Sequence, residues 1–240
     1  MPNQGSKNPR VYSGSINHAR NFPKPPDDDQ RLAARLAKIP PHFEFVRWET
    51  VGPSEESEMP YEIQKREWAD IKSNPERGRA FFGPSSIGKT VMEIALYRYI
   101  LENHRDLISV SRLNPKFAGK AAYVSGTAIV RTTAKKLMEA FRSWEVGESG
   151  SPIITPQTIE RFASVGVRTY LFLGEFEKIR SSEFKREIIF DILDALRDFN
   201  GYLVLTGNLR YEDLNDESKY PLGTQKRVSQ LCKVHDFWKT

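Results

Sequence analysis

The sequence predicts one α/β domain whose parallel sheet is covered by helices on both faces. Three observations predict it. From residue 78 onward, short apolar runs of strand length alternate with longer segments of helical period, the pattern of strands joined by crossover helices. A glycine loop, Gly83–Thr90 (GPSSIGKT), falls between the first of these strands and the first of these helices. The chain has 240 residues, 39% hydrophobic and 28% charged, which suits a single globular core.

Residues 1–42 read as a basic, flexible arm. They contain the run Pro23-Lys24-Pro25-Pro26 followed by Asp27-Asp28-Asp29, with few large apolar groups to offset chain entropy. One short amphipathic helix is expected at Gln30–Ile39, with Leu32, Leu36 and Ile39 on one face and Pro40-Pro41 stopping it. The folded domain is expected over 43–240. His42–Val51 alternates aromatic and polar residues and is expected to enter the domain as an extended segment. Pro60–Asn74 reads as a helix with Tyr61, Trp68 and Ile71 near one face, ending before Pro75.

The core elements follow. Gly78–Phe82 is a short strand and Lys89–Asn103 a helix. Ala121–Ser125 is the next strand, with a helix expected from about Thr127 to Trp144. Pro156–Ala163 is a short helix, Arg168–Gly174 a buried strand and Ser182–Asn200 a long helix. Gly201–Thr206 is another buried strand, and Gly223–Thr240 is partly helical.

Charge and composition narrow the function classes. No apolar run reaches the length of a membrane helix, and the N-terminus leads into no signal core, so a cytoplasmic protein without a membrane partner is expected. The single cysteine, Cys232, cannot form an internal disulfide or a Cys-rich metal site and is read as a buried small apolar residue. Net charge is +5, unevenly spread. Residues 1–40 carry seven basic and three acidic groups, and residues 112–142 carry seven basic groups against Glu139 alone. Such clustering suits a polyanionic partner, because binding releases condensed counterions.

The glycine loop matches G-x-x-x-x-G-K-[ST] at every fixed position, through Gly83, Pro84, Ser85, Ser86, Ile87, Gly88, Lys89 and Thr90. Its glycines let the backbone approach an anion closely, and the helix that follows adds its positive end. Lys89 is expected to reach the outer phosphates of ATP, and Thr90 to offer its hydroxyl to Mg²⁺. This makes the domain a P-loop nucleotide-binding protein. Such a loop needs an acid on a neighbouring strand. Leu171-Phe172-Leu173-Gly174-Glu175 supplies one, but Gly174 stands where the common form has aspartate. Glu175 is the expected base and indirect metal partner, and Glu177 is the lesser candidate. Asn208, at the carboxyl end of the next strand, is expected to face the γ-phosphate.

Together Gly83–Thr90, Leu171–Glu175 and Leu203–Leu209 resemble the Walker A, Walker B and sensor I elements of AAA+ ATPases, most closely the DnaC/IstB-type group. That group contains replicative helicase loaders and transposition ATPases. The approach through Phe45–Trp48 and Trp68 fits the resemblance, as does the ending. Thr224-Gln225-Lys226-Arg227-Val228 resembles the segment carrying the arginine finger, and Val234–Trp238 the short terminal strand. The resemblance implies an AAA+ core without a C-terminal lid domain, ATP and Mg²⁺ as cofactors, and homo-oligomers forming a ring or spiral on DNA. Arg227 would complete a neighbour's site. The region Thr127–Phe141, read as one helix, would place Arg131, Thr132, Lys135 and Lys136 on single- or double-stranded DNA, with Arg131 and Lys135 on one face. The implied activity is an ATPase that loads or remodels a replicative helicase. The alternatives are a transposition ATPase that recruits a transposase to target DNA, and a nucleotide-binding scaffold with little turnover. Gly174 implies slow hydrolysis.

Overall fold

The computed structural model describes residues 39, 41–43, 46–103, 107–109, 122–124, 127–146, 154–179 and 183–238. The helix expected at Gln30–Ile39, and nearly all of the arm, lie outside the described residues. The helices are α1 (Tyr61–Ser73), α2 (Lys89–Asn103), α3 (Ala134–Glu145), α4 (Pro156–Ser164), α5 (Glu183–Asp198) and α6 (Thr224–Leu231). The strands are β1 (Arg79–Phe82), β2 (Leu107–Ser109), β3 (Ala122–Val124), β4 (Thr127–Thr133), β5 (Arg168–Gly174), β6 (Tyr202–Gly207) and β7 (Lys233–Asp236).

These strands form one sheet in the order β2-β3-β4-β5-β6-β1-β7. From β4 to β7 all neighbours are parallel, while β2 and β3 extend the β4 edge as antiparallel strands. Burial on both faces explains why the central strands are continuous apolar runs rather than alternating ones. Side chains still alternate between two cores. Phe82, Val130, Leu171, Leu173, Leu203 and Leu205 pack beneath α3, α4, α5 and α6. Phe81, Ile129, Tyr170, Phe172, Tyr202 and Val204 pack beneath α1 and α2.

Two segments differ from expectation. His42–Val51 is not extended: Pro41–Phe43 is a 3₁₀ turn, Trp48–Thr50 is a turn, and Val46 between them is buried. Trp48 then lies on Tyr99 of α2 at 4.6 Å between ring centroids, so aromatic packing replaces strand pairing there. The second correction is larger. Thr127–Thr133 is strand rather than helix, paired with β5 over seven positions, and α3 begins only at Ala134. The run Thr-Ala-Ile-Val-Arg-Thr-Thr is rich in β-branched residues, which fit a pleated, buried surface. Thr133 caps α3 by accepting a hydrogen bond from the Lys136 amide, so the strand hands directly over to the helix.

A charged network fastens α1 to the sheet. Arg79 of β1 is fully buried and donates to Asp70 Oδ2 at 2.6 Å, to the Asp70 carbonyl at 3.1 Å and to the Asn74 carbonyl at 2.8 Å. Lys233 also pairs with Asp70, and His235 with Glu67. Burial alone would raise both acids, but their partners win. His235 and Arg66 hold Glu67 below the ordinary carboxylate value, and Lys233, Arg79 and His235 do the same for Asp70. The unfolded chain therefore binds protons first as pH falls. The stabilisation is fully present above about pH 4 and is lost below it. The contribution of these two acids to the urea midpoint should hold between pH 7 and 5 and fall between about pH 4 and 3. Glu67→Gln with Asp70→Asn should flatten that decline, and an equally steep decline in the double variant would refute the assignment.

Candidate functional site

The site is built at the carboxyl edge of the sheet, where β1 gives way to the loop 83–88 and then to α2. Gly83 is required sterically: a Cβ there would lie 2.5 Å from Ile87 Cδ1 and 2.8 Å from Phe237 Cβ. Gly88 is required conformationally, at φ 93°, and Ser86 also takes a left-handed backbone at φ 65°. The hydrogen-bond ladder of α2 starts with the Met92 amide on the Gly88 carbonyl, at 3.0 Å. The amides of Lys89, Thr90 and Val91 are thus left without partners inside the helix, as in any first turn, and bias this end toward an anion. Ser85 and Ser86 are exposed at the loop tip.

Lys89 is buried, and its ammonium donates to the carbonyls of Gly83 at 2.8 Å and Pro84 at 2.5 Å. Burial lowers its pKa to about 8, and the charge of Glu177 partly opposes that shift. The ammonium is folded back on its own loop, in a cradle shaped for an anion. The loop glycines, the helix terminus and this lysine fit a nucleotide triphosphate.

We expect Gly83→Ala to force Ile87 and Phe237 apart, at a cost of about 1–3 kcal/mol, and to lower nucleotide affinity with it. A chemical melt and a nucleotide titration check this, and an unchanged pair of values would refute the steric role.

The sequence-derived acids divide unexpectedly. Glu175 has a left-handed backbone, φ 57° and ψ 42°, which is strained for a residue with a Cβ. It is held there because the next residue, Phe176, is fully buried and stacks on Tyr220 at 5.6 Å. The Glu175 carboxylate lies outward against Lys178, at 3.2 Å. Glu177, the lesser candidate from sequence, is the acid whose charge bears on Lys89. Its Oε2 accepts the Asn208 amide at 2.9 Å. Asn208 itself is exposed, and its Nδ2 lies 3.4 Å from Ser85 Oγ as donor. The structure thus brings Asn208, Glu177 and the loop together at the ends of β1, β5 and β6.

Other expected residues lie elsewhere. Arg227 sits on α6, where its guanidinium bonds Asp194 of α5 at 2.8 and 3.4 Å and covers the Phe190 ring at 4.5 Å. Arg131 lies on β4, on the face toward α2, and its Nε donates to Glu93 Oε1 at 2.8 Å. The expectation that Arg131 and Lys135 share one helix face is therefore overturned, because strand β4 ends between them. Thr132 is half-buried on that strand. Lys135 and Lys136 are exposed on α3, and Lys135 lies 3.8 Å from Glu139.

Glu93 escaped the sequence reading altogether. It lies in α2 among apolar neighbours, 2% exposed, and burial raises its pKa despite the charge and hydrogen bond of Arg131. Its only sequence signal is a carboxylate three residues after Thr90, inside a helix otherwise packed on the sheet. Cys232 is buried, as expected, and its thiol donates to the Leu203 carbonyl at 3.4 Å.

No protein-family model matches the sequence, and no curated protein matches it. Solved structures do resemble the fold. The DnaC helicase loader superposes with a TM-score of 0.51 at 16% identity, covering 81% of this chain and 98% of that one. DnaA from Aquifex aeolicus bound to AMPPCP gives 0.50 at 10% identity, over 80% of this chain but 49% of the DnaA chain. A DnaA bound to AMPPCP and single-stranded DNA gives 0.50 at 13% identity, over 80% of this chain and 50% of that one. This chain spans about half the length of those initiators. Among the described residues no helix is long and apolar enough to cross a membrane. The parallel sheet β4-β5-β6-β1-β7, with its glycine loop after β1, together with these superpositions, gives the chain a P-loop fold shared with the DnaC helicase loader and DnaA structures.

Proposed function

We propose that this protein binds ATP with Mg²⁺, assembles on DNA, and loads or remodels a replicative helicase, with ATP binding and hydrolysis as the switch. One observation carries the reading: an anion cradle, Gly83–Thr90, opens α2 in a fold that superposes on 98% of the solved DnaC helicase loader chain. DnaA, of the same fold, has been captured with a nucleotide analogue and with single-stranded DNA, which supports the ATP and DNA parts.

The loop amides and Lys89 hold the β- and γ-phosphates, and Thr90 serves the metal. Bound Mg²⁺ supplies neutralisation of phosphate charge. Asn208 senses the γ-phosphate from beside Ser85. Glu175 and Glu177 divide the orientation of water and the tuning of Lys89. Arg227 acts on a neighbouring subunit once that neighbour draws it from Asp194.

The DNA path uses the exposed cations of α3. Lys135→Ala with Lys136→Ala is expected to weaken single-stranded DNA binding and lower the slope of log affinity against log salt by about 1–2. An unaltered slope would remove α3 from the DNA path.

Mass measurement with and without ATP and single-stranded DNA tests the assembly. A nucleotide-dependent multimer is expected, and a monomer under all conditions would sink it. Recovery of a replicative helicase, rather than a transposase, with the full chain tests the partner. A second reading, a scaffold with little turnover, is favoured by Gly174, which leaves β5 without a carboxylate directed at the metal.

A further inference from the structure

The end of β5 has no acid, yet a carboxylate does lie beside it. Gly174, Thr206 and Arg131 share one face of the sheet with Tyr170, Phe172, Tyr202 and Val204, the face covered by α2. Glu93 enters that face from α2. A Cβ built on Gly174 would lie 3.7 Å from Glu93 Oε2 and 3.4 Å from Thr206 Oγ1. A side chain at 174 would therefore reach the space that Glu93 already holds from the opposite side. Thr206 Oγ1 donates to Glu93 Oε2 at 3.4 Å, and Arg131 takes Oε1 at 2.8 Å.

Burying a carboxylate is expensive unless a partner holds it, and a residue of this cost in an otherwise apolar helix face needs a reason. Packing alone offers none, since a leucine would fill the same layer. Position does offer one. Glu93 follows Thr90 by three residues, so the two project from neighbouring points on the same side of α2. Thr90 is the hydroxyl that the loop assigns to Mg²⁺. Magnesium keeps several of its waters, and a nearby carboxylate fixes them by accepting their hydrogen bonds.

We propose that Glu93 supplies this metal-orienting carboxylate, delivered from the helix after the loop instead of from the strand, with Arg131 as its positioning residue. The inference rests on the nucleotide reading above. It also explains glycine at 174: an acid there would set two carboxylates side by side in a buried place, where like charges disfavour ionisation. Arg131 holds Oε1, while Oε2, bonded to Thr206 and lying toward Gly174, is the oxygen that would accept from the metal's waters.

The experiment uses the full chain and a fluorescent, non-hydrolysable ATP analogue, titrated with Mg²⁺ and repeated in EDTA. Glu93→Gln should raise the Mg²⁺ concentration for half-maximal tightening by roughly tenfold or more, and leave affinity in EDTA unchanged. Adding Gly174→Asp to Glu93→Gln should bring that concentration back to within about threefold of the parent, a rescue that a purely structural Glu93 would not give. An unshifted Mg²⁺ dependence in Glu93→Gln, or no rescue by the second change, overturns the proposal. If Glu93→Gln alone does not fold, Glu93→Gln with Arg131→Met removes both buried charges and carries the same two readouts. A parent that binds no analogue at all would defeat the nucleotide reading itself. A parent that binds with a Mg²⁺ dependence indifferent to Glu93 would defeat this inference alone.

Discussion

Lys89→Ala is expected to reduce ATP affinity by roughly 100-fold or more, which is loss of binding at ordinary concentrations. Lys89 is the cation of the loop Gly83–Thr90, and in the free protein its ammonium bonds the Gly83 and Pro84 carbonyls. A triphosphate offers it a stronger, charge-assisted partner in a partly desolvated place, so binding exchanges two carbonyl bonds for phosphate oxygens. Alanine removes that exchange and leaves only backbone amides and the helix terminus. Equilibrium titration with a labelled nucleotide, beside a thermal melt to establish folding, gives the result. A folded variant with parental affinity would refute the role of the loop. Arginine should not rescue, because its planar fork does not fit a space shaped for a compact ammonium.

The second large effect is on stability. Asp70→Ala should cost about 3 kcal/mol, because it leaves the Arg79 guanidinium buried with backbone carbonyls and His235 Nε2 beside it but no carboxylate. Arg79→Met should cost much less, about 1 kcal/mol or none, since an apolar side chain of similar length fills the same buried site. Urea unfolding of the two variants distinguishes them, and an Asp70→Ala variant as stable as Arg79→Met would refute the account. The effect reaches function through geometry. Arg79 begins β1, which ends at Phe82 and leads directly into the phosphate loop. Loosening α1 from β1 and β7 should therefore weaken nucleotide binding as well as the fold.

These residues also mark the limit of sequence reasoning. The glycine loop was legible because its chemistry is local: glycines, lysine and threonine act on backbone a few residues away, so spacing carries the whole message. The helix Lys89–Asn103 and the strand Arg168–Gly174 were legible for a similar reason, since each is bounded by its own motif or by glycine and keeps one apolar pattern throughout. Thr127–Thr133 was misread because the helix after it has a strong amphipathic period that extends plausibly backward over Thr132 and Thr133. Seven positions of pairing with β5 decide that segment, and pairing is a long-range term. Arg131 accordingly changes from a helix surface cation to a partner of buried Glu93.

Sequence alone determined the fold class, the anion cradle, the absence of an acid at 174 and the place of Asn208 after an apolar strand. Tertiary structure alone decided which acid serves which partner. Glu177 bears on Lys89, Glu175 is directed to Lys178, and Glu93 lies beside Gly174 from a helix 81 positions earlier in the chain. The division has a physical cause. Backbone conformation and phosphate cradling are set by neighbours in sequence, whereas the energy of a buried charge is set by whatever the sheet and helices bring within a few ångströms of it.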